Sequence, residues 1–248
     1  VKATEFSSGP DYVKALVIGA SGAGKSILAS TFPGTKFYAD FDNKISSTIK
    51  FHLSSKDILE KIEFEPYGKI PIKPSAGKKS RMQTFLDDMK KWCDLQNAGK
   101  PLPFQTLVID TITTMGDSLL EDYREVSQLG VKRPNKDQNS QSDYGLFGNH
   151  IRQIVTPALA LDCHVVIIGH TRPEKDELTG IVTNQIMFPG AFSEKIGLYF
   201  EEVYFAKVDK EGKHILQTKA DSKTPMCKTA RKLPAEIPAH FSEIIKAR

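Results

Sequence analysis

Residues Gly19-Ala20-Ser21-Gly22-Ala23-Gly24-Lys25-Ser26 satisfy the pattern G-x-x-x-x-G-K-[ST] at every constrained position. Before them, Val13-Lys14-Ala15-Leu16-Val17-Ile18 reads as a buried strand. After them, Ile27-Leu28-Ala29-Ser30-Thr31-Phe32 can continue as a helix as far as Pro33. A strand, a glycine turn and a helix N-terminus together make an anion cradle. Glycines let backbone N–H groups close around phosphates, and the helix dipole favours negative charge there. The reading is a nucleoside triphosphate site. Gly19, Ala20, Ser21, Gly22, Ala23, Gly24, Lys25, Ser26 and Ile27 surround the phosphates, Lys25 reaches the β- and γ-phosphates, and Ser26 ligates Mg²⁺. The alternative, a glycine-rich structural turn, does not account for the flanking strand and helix.

A chain of 248 residues has room for one large α/β domain or two small ones. With 40% hydrophobic and 26% charged residues it has an ordinary globular composition. No apolar run approaches the roughly 20 residues that span a bilayer, and residues 1–6 lack the apolar core of a signal peptide. The expectation is a cytoplasmic protein without membrane contact, in a bacterial host's cytoplasm if phage-encoded. Cys93, Cys163 and Cys227 stand far apart with no C-x-x-C pair, which suits reduced thiols, two of them filling the core. The net charge of +4 permits nucleic-acid binding without establishing it. Basic residues gather at 73–81, at Lys132, Arg133 and Lys136, and at 219–232, each either a solvated surface or part of a groove.

Further along, Lys36-Phe37-Tyr38-Ala39 reads as a strand ending in Asp40-Phe41-Asp42. Residues 43–62 are weakly helical or irregular, and 66–80 form an exposed excursion. Residues 82–97 are helical, with Phe85, Met89, Trp92 and Cys93 on one face. Thr106-Leu107-Val108-Ile109-Asp110 is a strand, 113–126 a helix, 128–142 a polar mobile loop, and 144–161 a long helix bent near Pro157. Val165-Val166-Ile167-Ile168-Gly169 is a strand ending at His170-Thr171, followed by a second polar loop at 172–190. Residues 202–207 and 213–218 form a hairpin turning at 209–212. Apolar strands alternating with helices imply a mainly parallel sheet flanked by helices, with its chemistry at the carboxyl ends of the strands.

Several side chains fit such a site. Asp110 ends an apolar strand and suits the acid that holds Mg²⁺ beside Ser26, or else caps the next helix. Asp40 and Asp42, on one side of an extended segment, are candidates for polarising the attacking water, or belong to an Asp/Asn turn. His170 is placed to sense the γ-phosphate or is structural. The other histidines show no ligand-like grouping. Met187 and Phe188, with Arg172 and Lys175 nearby, either stack on bases or anchor their loop to the body.

The order of these pieces resembles that of a RecA-like core ATPase, more specifically a phage-type group of AAA-domain phosphate-loop NTPases that includes single-strand annealing recombination proteins. The stretches that carry the resemblance are residues 19–26 with Phe32-Pro33, Tyr38-Ala39-Asp40-Phe41-Asp42, 106–111, Asp143-Tyr144-Gly145, 165–171, Pro189-Gly190, and 227–231 with Leu233-Pro234. It spans nearly the whole chain, and only the phosphate loop is highly specific. The resemblance implies one RecA-like domain over 1–248, with an N-terminal extension at 1–12, a C-terminal β-hairpin and a basic tail at 220–248. It implies ATP and Mg²⁺, with catalysis by Lys25, Asp42, Asp110 and His170. Asp42 stands where relatives usually carry Glu, one methylene longer, so either the water sits closer or turnover is slow. It also implies that Lys228 and Arg231 contact a neighbouring subunit's nucleotide, although their K-x-x-R spacing differs from the K-x-R of many relatives. Residues 128–142 and 172–190 stand where DNA-facing loops would be. The implied partners are single-stranded DNA, further copies of the chain in a ring or filament, and a single-strand-binding protein. The rival expectations are a small-molecule kinase and a nucleotide-gated scaffold with little hydrolysis.

Overall fold

The computed structural model describes residues 11–53, 55–72, 75, 77–125, 141–188 and 192–246. Its strands are β1 (Lys14–Gly19), β2 (Lys36–Asp40), β3 (Ile62–Glu65), β4 (Thr106–Asp110), β5 (His164–Lys175), β6 (Val182–Ile186), β7 (Glu202–Val208), β8 (His214–Gln217) and β9 (Glu236–Pro238). Its helices are α1 (Lys25–Ser30), α2 (Ile45–His52), α3 (Lys56–Leu59), α4 (Arg81–Asn97), α5 (Ile112–Glu125), α6 (Gln141–Ala160), α7 (Phe192–Lys195) and α8 (Phe241–Ile245). The strands form one sheet in the order β3-β2-β4-β5-β1-β7-β8-β9, with β6 paired to β5. Pairing is parallel from β3 through β7 and antiparallel at β5–β6, β7–β8 and β8–β9. This is the mainly parallel α/β sheet with a C-terminal hairpin that the sequence leads one to expect.

Alternation along the central strands divides the core into two layers. Leu16, Ile18, Leu107, Ile109, Val165 and Ile167 face one way, where Phe85 and Trp92 of α4, Met115 of α5 and Phe147 and Ile151 of α6 cover them. Ala15, Val17, Val108, Val166 and Ile168 face the other way, against Leu28 and Ala29 of α1, Phe32, and Ile244 of α8. Burial on both faces is why these strands read as continuous apolar runs. The α4 helix starts at a capping box, in which Ser80 accepts from the Gln83 N–H and the Gln83 side chain accepts from the Ser80 N–H. Cys163 and Cys227 are buried thiols and Cys93 is half-buried. Among the described residues no helix is long and apolar enough to cross a membrane.

Four segments differ from the sequence reading. Residues 62–65 form an edge strand, although Ile62-Glu63-Phe64-Glu65 has too little apolar content to announce one. The excursion at 66–80 has a core anchor: Tyr67 is fully buried, stacked on Phe41 at 5.3 Å and edge-on to Phe85, with its hydroxyl donating to Asp88. The polar stretch at 172–190 is not a loop throughout. The β5 strand runs on past the sheet to Lys175 and returns as β6, closed by a turn in which Asp176 Oδ1 accepts from Leu178 and Thr179 N–H. The basic tail packs back on the body through β9, α8 and buried Leu233, Ile237 and Ile244. Most of the first polar loop (128–140), residues 1–10 of the N-terminal extension, and Pro189-Gly190 lie outside the described residues.

Candidate functional site

The phosphate loop leaves β1 at the centre of the sheet, between β5 and β7. Two of its glycines are required by space. A Cβ at Gly19 would sit 2.3 Å from the Ala206 carbonyl oxygen on β7. Gly24, the N-cap of α1, has φ +82° and carries the His214 ring against it, where a Cβ would lie 2.7 Å from Nδ1.

Lys25 is buried at 5% exposure and donates to the carbonyls of Gly19 (2.8 Å) and Ala20 (2.7 Å). Burial lowers its pKa to about 8, against the opposing pull of the Asp110 and Asp42 carboxylates. Ser26 Oγ donates to Asp110 Oδ2 at 2.6 Å, and the Tyr38 hydroxyl holds the Ser26 carbonyl at 3.1 Å. Burial raises the Asp110 pKa to about 6. The Ser26 hydrogen bond opposes that rise, and the charges of Asp42 and Asp40 add to it.

Asp42 lies just beyond the carboxyl end of β2, fastened to β4 through the Asp110 carbonyl, which accepts from the N–H groups of Phe41 (2.7 Å) and Asp42 (3.3 Å). The Asp110–Thr111 peptide that follows is cis. Both Asp42 oxygens are engaged. Oδ1 accepts from Thr111 Oγ1 at 3.0 Å and from Thr114 Oγ1, and Oδ2 accepts from His170 Nε2 at 3.0 Å with Lys44 Nζ at 3.5 Å. Burial alone would raise its pKa, but the hydrogen bonds from His170 and Thr114 and the charges of His170 and Lys44 prevail. The group is held well below the usual carboxylate range. His170 is fixed in turn by its N–H donating to Thr113 Oγ1 (3.0 Å) and its carbonyl accepting from Met187 N–H (2.8 Å).

These groups border one cleft of about 250 Å³, lined by the loop residues Ser21, Gly22, Gly24, Lys25, Ser26 and Ile27, by Asp42, Asp110 and His170, and by Lys44, Thr48, His52 and His214. A larger hollow of about 780 Å³ opens at the opposite edge, among Tyr12, Pro33, Phe104 and His164, and holds none of this chemistry.

The structure therefore brings Lys25, Ser26, Asp110, Asp42 and His170 together, and it separates others from them. Asp40 is not a partner of Asp42 in the cleft. Its carboxylate accepts from the N–H groups of Lys44 (3.2 Å) and Ile45 (3.0 Å) at the start of α2, so the chain turns before alternation can bring the two acids to one side. Phe188 is buried edge-on to Phe147, which makes it an anchor and not a base stacker, while Met187 beside it is 42% exposed. Arg231 forms a bidentate pair with Asp11 (3.0 and 2.7 Å) and approaches Glu202 at 3.6 Å. Glu202 pairs with Ala15 at the amino end of β1, so Arg231 lies at the edge of the sheet away from its own phosphate loop. Lys228, exposed, bridges Val203 beside it.

Sequence reasoning did not single out Thr113, Thr114, Lys44, Thr48, His52 or His214. The threonines had a local signal, a run of hydroxyls directly after the acid that ends β4. Lys44 follows Asp42 by two residues. Nothing in the sequence joins His52 or His214 to the loop, since only the sheet order brings α2 and β8 to it.

A family model described as an AAA domain matches residues 11–226. No curated protein matches the chain.

Proposed function

Because the chain belongs to the AAA domain family, and is thereby a phosphate-loop nucleotide-binding ATPase domain, we propose that it hydrolyses ATP with Mg²⁺ in this cleft and couples nucleotide state to single-stranded DNA. The observation that carries the ATPase reading is the convergence of Lys25, the Ser26–Asp110 pair and the Asp42–His170 pair at the carboxyl ends of four adjacent strands.

The donor set fits both groups. Lys25 is a buried ammonium whose partners are two carbonyls, and among the described residues no carboxylate stands within ion-pair distance. A triphosphate supplies the missing anion. Ser26 and Asp110 offer a hydroxyl and a carboxylate oxygen side by side, the hard oxygen ligands Mg²⁺ takes alongside phosphates. When bound, Mg²⁺ neutralises charge that develops on the phosphate oxygens. Ser26 and Asp110 would hold it, and Asp110 would give up its remaining proton as it did so. Lys25 exchanges its two carbonyls for phosphate oxygens. Asp42 stays anionic throughout the working pH range. A carboxylate so reluctant to take a proton orients water and does not carry its proton away. His170, bonded to that carboxylate, would report the γ-phosphate to the backbone of β5.

The nucleic-acid part of the reading is supported by residues 219–232, where Lys219, Lys223, Lys228 and Lys232 are exposed and Asp221 is the one acid. The β5–β6 hairpin lends no such support. Its residues 172–184 carry Arg172 and Lys175 against Glu174, Asp176 and Glu177.

The test is ATP turnover with and without single-stranded DNA, beside Lys25→Ala. Turnover that rises with DNA and is lost in the variant supports both parts. Turnover indifferent to DNA but raised by a metabolite points to a kinase. One observation favours a second reading, a nucleotide-gated scaffold: both Asp42 oxygens are already occupied. Tight ATP binding with turnover no greater than that of Asp42→Asn would establish it.

A further inference from the structure

Taking the cleft as a nucleoside triphosphate site, we propose that His214 and His52 hold the nucleobase. Lys25, Asp110, Asp42 and His170 line the buried part of the cleft, and its remaining charged side chain, Lys44, is exposed. A triphosphate with its metal belongs there, so the nucleoside must extend toward the mouth. Bases bind to flat rings, which offer contact area and a π face whatever the base. Among the described residues the ring-bearing side chains that line this cleft are His52, His170 and His214, and His170 is committed to Asp42. The other two are exposed.

They reach it from two sides of the loop. His52 closes α2, which follows β2 on one flank of β1 in the sheet, and His214 opens β8 on the other flank. Thr48 lies one helical turn before His52 and lines the same wall, adding a hydroxyl that can bond to a ribose or a base edge. The position of His214 is built and not incidental. Its backbone is paired with Val208 across the β7–β8 hairpin, and its carbonyl accepts from Ala239 N–H at 3.0 Å. The side chain then lies directly over Gly24, in space that any larger residue at Gly24 would take. The loop's third glycine is thus needed both for its backbone angle and to admit this ring.

The experiment compares two ligands by titration calorimetry with Mg²⁺ present: ATP, and inorganic tripolyphosphate, which has the phosphates without the base. For His214→Ala and His52→Ala, the expected result is about a tenfold loss of ATP affinity each, the size of one stacking contact, with tripolyphosphate affinity unchanged. His214→Phe should restore ATP binding, since a flat ring is what the base requires. Loss of both ligands in equal measure would overturn the proposal, because the histidines would then act on phosphate. Unchanged ATP affinity in both alanine variants would overturn it too. If the wild-type chain binds neither ligand, the nucleotide reading itself fails. If it binds both equally, only the base assignment fails.

Discussion

Asp42 and Asp110 are two buried carboxylates about one cleft whose surroundings drive them in opposite directions. Asp42 is held anionic by four donors, whereas Asp110, with one hydroxyl donor and two acidic neighbours, is pushed up to about 6. A raised native pKa means the native state binds a proton more readily than the unfolded chain between the ordinary carboxylate value and about 6. The penalty of the buried charge is therefore fully present above that window and fades as pH falls through it. Asp110→Asn should stabilise the ligand-free protein by on the order of 2 kcal/mol at pH 7.5, and the gain should vanish toward pH 4. Melting curves without Mg²⁺ or nucleotide measure this. The same variant should lose the extra stability that Mg²⁺ and ATP confer on the wild type. Asp42→Asn should leave ATP affinity within about threefold and reduce turnover about 100-fold, as read from steady-state hydrolysis beside calorimetry. The residues whose chemistry is stated by a local motif, Lys25 and Ser26, are legible without any structure. Asp110 and His170 can be read because each ends an apolar run. The engagement of Asp42 by Thr111 and Thr114 cannot, since it depends on how the chain turns after β2 and β4.

At the scale of elements, the site is steadied from a segment that reads as an excursion. Phe41 lies between Asp40 and Asp42, stacked on Tyr67 and edge-on to Phe85 of α4, while Gly68 presses on the Phe41 carbonyl. The 66–72 segment therefore clamps the turn that presents Asp42. Tyr67→Ala should cost about 3–5 kcal/mol and lower turnover beyond what the loss of folded protein explains. Urea unfolding and specific activity per folded molecule separate the two effects. Tyr67→Phe keeps the stack and loses only the bond to Asp88, so it should cost about 1 kcal/mol and spare activity. The central strands and α4 to α6 are legible as apolar runs and helical faces. The excursion misleads because its prolines and glycines outnumber its single aromatic anchor. Residues 172–186 mislead because the arm is exposed over residues 173–182 and rejoins the core only at Ile186, so no apolar alternation reveals it.

Across the whole molecule, the exposed lysines of 219–232 belong to a segment that is fixed to the body at β9 and α8 rather than trailing from it. If those four lysines neutralise phosphates of a single strand, the log of affinity should fall with the log of salt with a slope of about −3. Lys228→Glu with Lys232→Glu should lower that slope by roughly half, as followed by fluorescence anisotropy of a labelled oligonucleotide over a salt series. A slope near zero in the wild type would remove the nucleic-acid reading and leave the nucleotide chemistry intact. The net charge of +4 leaves this open, because the total is blind to where the lysines stand.

The place of β1 carries a consequence for how the protein comes into being. The strand that delivers the phosphate loop is made well before its two neighbours, β5 and β7, which begin at His164 and Glu202. A nascent chain emerging from the ribosome cannot complete the loop's surroundings until both of those strands have emerged. Pairings of such long sequence separation form slowly. Competence to bind nucleotide therefore waits on the emergence of β7. Ribosome-bound chains arrested before β5 should be blind to ATP, and those long enough to free β7 from the exit tunnel should respond to it.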